Sequence, residues 1–288
     1  MRTLLSILLA AVTLASGMPA GAQAQGKVRI GWTAWPDAEF VTRLAARILE
    51  ERMGQQVELV QTDVAPQFQG VVAGGIDVML MARLPATHAD DMDEVAGEVV
   101  DLGILYDHAR LGWLVPGYVP EEQLGSIEDL KNERVRERLD GTITGIDPGA
   151  DLTRLSQRAI EQYGLEGYEL RTSSGADMTE ALARAIENER WIVVTGWSPH
   201  WMLGAWDLRY LDDPEGILGS WERIHAIARR GFYQENIEAA AMLARMWIPM
   251  DDLQAAMNDA REGSYEEAVT RYIEANAGRV EYWITGEM

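Results

Sequence analysis

No cysteine occurs anywhere in the 288 residues. That excludes disulfides, a thiol nucleophile and a lipid-attachment cysteine, so an oxidising compartment leaves the covalent structure of the chain unchanged. Phenylalanine is scarce too, with three residues against ten tryptophans. Such an excess of indole suggests rings wanted for more than packing, because the tryptophan face is the best aromatic surface for holding a cation. The four histidines, His88, His108, His200 and His225, are scattered without metal-ligand spacing, and no metal or cofactor is expected. No Gly-x-Ser-x-Gly elbow is present either, which leaves nucleophilic catalysis with little support. Basic residues number 25 against 46 acidic ones, for a net charge of −21. This balance disfavours nucleic acid as a partner and favours a solvated acidic exterior.

Long apolar runs are also missing beyond the N-terminus. Residues 1–24 read as an export signal: Arg2 gives a basic start, Leu4 to Leu14 an apolar stretch too short to span a bilayer, and Ala22-Gln23-Ala24 a small-x-small cleavage site. The mature chain is expected to start near Gln25 and to work, as a monomer, in a bacterial periplasm.

Strand and helix patterns then alternate. Lys27 to Trp32, Val57 to Val60, Ile76 to Leu80, Leu111 to Val115, Thr142 to Ile146 and Trp191 to Val194 read as strands. Glu39 to Met53, Ala65 to Ala73, Ile127 to Leu139, Asp151 to Tyr163 and Thr179 to Asn188 read as helices, and the chain is nearly all helical beyond Glu235. The alternation predicts an α/β fold whose mixed sheets are mostly parallel and flanked by helices. The simplest partition places residues 25–105 and 206–288 in one lobe and inserts 106–205 as a second. Two chain crossings between the lobes make a hinge.

Open α/β sheets bind ligands at the carboxyl ends of their strands, and three such ends carry chemistry here. Trp32-Thr33-Ala34-Trp35-Pro36-Asp37 follows the first strand; Asp37 either caps the next helix or stands near a cationic group. Gly145-Ile146-Asp147-Pro148-Gly149-Ala150 joins a strand to a helix, where backbone amides can face an anion unless the glycines serve only the turn. Gly196-Trp197-Ser198-Pro199-His200-Trp201 closes another strand; His200 either donates to a ligand carboxylate or bonds the backbone.

With Asp207-Leu208-Arg209-Tyr210-Leu211, Leu84-Pro85-Ala86-Thr87-His88 and Ser173-Ser174-Gly175-Ala176-Asp177, these segments resemble the glycine betaine, proline betaine and choline substrate-binding proteins of ABC importers. The likeness runs over nearly the whole chain after the signal and implies a two-lobed type II periplasmic binding protein. It implies no enzymatic activity, with a membrane permease and an ATPase as partners and a small methylated zwitterion or quaternary amine as ligand. Trp35 and Trp197 match walls of an aromatic box, Asp37 an acidic residue beside the cation, and Gly145, Ile146 and Asp147 the pocket segment of the other lobe. Many relatives have tryptophan where this chain has Arg83. Either Trp32, Trp113 or Trp201 completes the box, or the ligand carries an anionic end that Arg83 clamps. A zwitterion such as glycine betaine is the favoured ligand, with choline or trimethylamine N-oxide as the alternative within the fold. A reading from another class is a secreted methylamine enzyme with His200 and Asp147 as acid and base.

Overall fold

The computed structural model describes residues 27–287; the expected export signal lies outside them. Nine strands form one curled, mixed sheet in the order β2-β1-β3-β9-β4-β7-β5-β6, with β8 paired to β4. Their ranges are β1 Val28–Trp32, β2 Val57–Gln61, β3 Val78–Leu84, β4 Val99–Pro116, β5 Thr142–Thr144, β6 Glu169–Arg171, β7 Val194–Ser198, β8 Leu208–Tyr210 and β9 Glu222–Arg229. Pairing is parallel at both outer ends, where helices connect the strands. It is antiparallel through the middle, where β9 lies between β3 and β4, and where β4 also pairs with β7 and β8.

The 18-residue strand β4 joins the two lobes. Val99 to Ala109 pair with β9, and Arg110 to Leu114 pair with β7. Its register slips at three places along β9, and His108 has φ 57° while Gly103 has φ 132°. Bulges of this kind bend a strand and break its in–out alternation, which is why Val99 to Arg110 looks irregular as sequence. The crossings accordingly differ from those expected at 105/106 and 205/206. Tyr106 and Ala109 still pack in the first core with Phe40, Leu44 and Trp283, whereas Leu211 and Leu218 pack in the second with Trp113, Ile143 and Tyr163. The chain therefore passes into the second lobe at about residue 110 and returns between Leu218 and Glu222.

Local signals place the flanking helices. Ser174 opens the helix Gly175–Glu187 with a capping box, its hydroxyl accepting from the Asp177 amide while Asp177 reaches back to it. That cap starts the helix four residues before Thr179. In the first lobe Asp77 is almost fully buried and accepts hydrogen bonds from both Arg29 and Arg229, fastening β1, β3 and β9 together at one edge. Burial alone pushes its carboxyl up, but the two guanidiniums outweigh that and hold it below the usual range.

Candidate functional site

The site lies where the two lobes meet. Pro36 starts the helix Pro36–Arg47, which fixes the preceding Trp35 in extended backbone (φ −108°, ψ 142°) and projects it from the end of β1 toward the second lobe. Trp197 comes from the last turn of β7 and is only 3 % exposed. The two rings stand 6.0 Å apart between centroids, tilted by 51°, so they form two walls of a corner rather than a stack.

Each indole is held across the cleft by a carboxylate of the other lobe. Trp197 Nε1 donates to Asp37 Oδ1 at 3.1 Å, and Trp35 Nε1 donates to Asp147 Oδ2 at 3.2 Å. Asp37 is 4 % exposed, and its second oxygen accepts from the buried Tyr106 hydroxyl at 2.8 Å. Burial, then the Asp37 charge, pushes the Tyr106 phenol well above its ordinary value, so it remains a donor. Asp37 therefore neither caps the helix nor faces the cavity. A negative charge behind each ring adds to the field its face presents to a cation.

Trp35 and Trp197 line a narrow, partly open cleft with a cavity volume of about 30 Å³. From the first lobe it also receives Arg83, Thr87 and His88, and from the second Leu111, Ile146, Asp151 and Leu152. Arg83 ends β3, where it pairs with Ile224 of β9. The loop after it is locked by His88, whose Nδ1 accepts from the Arg83 amide at 2.9 Å and whose own amide donates to the Arg83 carbonyl. Glu222 supports the loop from below, accepting from the amides of Ala86 and Thr87 and from the Thr87 hydroxyl. Burial, followed by the charges of Arg83 and Arg154, pushes His88 down to about 3. The ring is neutral with its proton on Nε2, which faces Asp151 Oδ2 of the other lobe at 3.5 Å.

Five expected residues are placed elsewhere. Trp113 is fully buried in the second-lobe core and donates to the Ser156 hydroxyl at 2.9 Å. Trp32 sits in the first lobe under the Arg43 guanidinium, 5.6 Å from its ring centre. Trp201 packs against Trp206 and Arg261. The Gly145 amide is spent on the Arg171 carbonyl, joining β5 to β6, so it is not available to an anion. His200 lies against Trp197 edge-on at 4.5 Å, and its Nδ1 accepts from the Met202 amide. Burial pushes it down to about 3, which makes it a neutral prop for the ring. His200 and Asp147 are thus committed to different partners rather than joined as an acid and base. Thr87, His88, Leu111, Asp151 and Leu152 were not expected. His88 stood within the Leu84-to-His88 motif, which was the one available signal.

Residues 26–275 match the model of the substrate-binding domain of ABC-type glycine betaine transport systems. The chain belongs to this family. It is 35 % identical to lactococcal OpuAC in its closed, glycine betaine-bound form, with a TM-score of 0.83 over 90 % of this chain and 99 % of that one. It is 27 % identical to the glycine betaine/L-proline-binding protein ProX of Borrelia burgdorferi, also at 0.83, covering 90 % and 97 %. The glycine betaine/carnitine binding protein GbuC of Listeria monocytogenes is 39 % identical over 153 residues, 52 % of this chain. That match spans about half the length of the curated relative. The family is one of transport binding proteins rather than enzymes, and its two-lobed fold is the one the alternating pattern and the motifs anticipated. Among the described residues no helix is long and apolar enough to cross a membrane.

Proposed function

We propose that this protein is an exported receptor that closes its two lobes around glycine betaine or a related methylated ammonium compound and delivers it to an ABC importer's permease and ATPase. The observation that carries this reading is the crossed pair of indoles: Trp35 of the first lobe bonded to Asp147 of the second, and Trp197 of the second bonded to Asp37 of the first. A ligand between the rings contacts both lobes at once, and only such differential contact shifts an equilibrium between open and closed forms. Closure excludes water from the ring faces, where each cation–π contact is then worth about 2 kcal/mol. Two faces supply about 4 of the ~8 kcal/mol that micromolar binding requires. The remainder comes from apolar contact with Leu111, Ile146 and Leu152 and from the polar end of the ligand.

The hinge in this reading is the middle of β4 together with the return segment between Leu218 and Glu222. The export signal at residues 1–24 and delivery to the periplasm without a lipid anchor belong to the same proposal. A thermal-shift screen of glycine betaine, proline betaine, carnitine, choline and trimethylamine N-oxide tests it. At a concentration of 100 Kd a true ligand stabilises the fold by about 2.7 kcal/mol. Absence of any shift across the series refutes the reading.

A further inference from the structure

Among the described residues Arg83 is the one cation that lines the cleft, and its long ion-pair contact with Glu222 leaves Nη1 without a hydrogen bond. The side chain is 8 % exposed, yet Nη1 has no hydrogen-bond partner among the described residues. The nearest carboxylate is Glu222, whose Oε2 lies 4.0 Å from Nη1, too far for a hydrogen bond. Glu222 is also occupied: its oxygens already take the Ala86 and Thr87 amides and the Thr87 hydroxyl. His88, also beside Arg83, is neutral and uses Nδ1 on the Arg83 backbone. A buried guanidinium donor without an acceptor is costly, and a native site retains one where something else supplies the acceptor.

The backbone of Arg83 is fixed on both sides, by the β3–β9 ladder and by His88, and its buried side chain lies against the cavity. Leu111, Ile146 and Leu152 line the same space and keep its dielectric low, which strengthens a charge-assisted bond formed there. The indoles and their backing carboxylates favour a positive group, whereas Arg83 favours a negative one.

On the reading of the site as an indole-walled ammonium pocket, we infer that Arg83 is the specificity-determining residue: it accepts ligands whose methylated ammonium is joined to a carboxylate or sulfonate and disfavours purely cationic ones such as choline. The anionic end takes the free Nη1 donor, which a hydroxyl matches less strongly. A ligand with no anion sets a second positive charge in the same cavity as Arg83, where Asp151 is the one carboxylate among the described lining residues.

Calorimetry on the mature chain tests this with glycine betaine and choline as probes. The wild type is expected to bind glycine betaine at least roughly tenfold more tightly than choline. In Arg83→Met, which keeps an apolar stem, glycine betaine weakens roughly ten- to hundredfold, the range for loss of one charge-assisted bond, and the ratio of the two affinities falls toward one. Arg83→Lys keeps the charge without the fork and falls between. Equal affinity of the wild type for both probes overturns the inference, as does glycine betaine binding to a folded Arg83→Met within threefold of wild type. Should neither probe bind the wild type, the ammonium-pocket reading is the one that fails. Acetate and methanesulfonate then decide the role of Arg83: it stands if they raise the melting temperature of the wild type, less that of Arg83→Lys, and not that of Arg83→Met, and it falls if they do not.

Discussion

Trp197→Ala removes the most informative single wall of the cleft. The ligand loses one water-excluded cation–π face, about 2 kcal/mol, and the apolar cover that the ring gives its methyl groups, about 1 kcal/mol more. Together these weaken binding by roughly 150-fold. The same ring is 3 % exposed and packs with Leu114, Ile146 and Met202, so its truncation also costs the fold about 3 to 5 kcal/mol. Affinity must therefore be read by calorimetry at a temperature where circular dichroism shows the variant folded. Trp197→Phe separates the two roles of the indole. It keeps an aromatic face but leaves Asp37 Oδ1 without its donor, which costs about 1 to 3 kcal/mol, and should bind with an affinity between wild type and Trp197→Ala. A folded Trp197→Ala that binds within threefold of wild type refutes the proposal that this ring forms the pocket.

Asp147→Ala deletes the bond that ties Trp35 to the second lobe. It should raise the Kd roughly three- to tenfold while the melting temperature of the ligand-free protein hardly moves, as measured by calorimetry and thermal unfolding. Trp113→Phe should do the reverse: Ser156 loses its partner in the core and stability falls by about 1 to 3 kcal/mol in denaturant titration, with the Kd unchanged. His88 and His200 are both held near 3 in the fold, below the ordinary histidine value, so the unfolded chain binds more protons between about pH 6.5 and 3. Their contribution is complete above about 6.5 and is lost as pH falls, at up to about 1.4 kcal/mol per pH unit for each; a flat stability profile across pH 6.5 to 4.5 counts against it. Gly141 has φ 57°, and a Cβ there collides with the Gly167 carbonyl oxygen, so Gly141→Ala should destabilise the second lobe by about 1 to 3 kcal/mol in thermal unfolding.

Sequence reasoning found the strands and helices with regular periods, among them β1, β2, the helix Asp151–Gln162 and the helical C-terminal segment. It missed β9 and the first half of β4, whose bulges and central antiparallel pairing destroy the simple alternation. Among site residues it named Trp35, Asp37, Arg83, Ile146, Asp147 and Trp197, all of which the structure gathers in or behind one cleft. It also left Trp32, Trp113 and Trp201 open as a further wall of the box, because nothing in a one-dimensional pattern distinguishes an indole facing a core from one facing a cleft.

Local chemistry was written into the chain by itself: indoles and glycines at strand ends, a proline that fixes Trp35, and the absence of cysteine. Tertiary structure decided which groups face one another. Asp37 and Trp197 are 160 residues apart in sequence, and Trp35 and Asp147 are 112 apart. Their pairing follows from a sheet that carries the chain into the second lobe and back, so the partners of each charge, and with them the free donor of Arg83, are set only when the lobes meet.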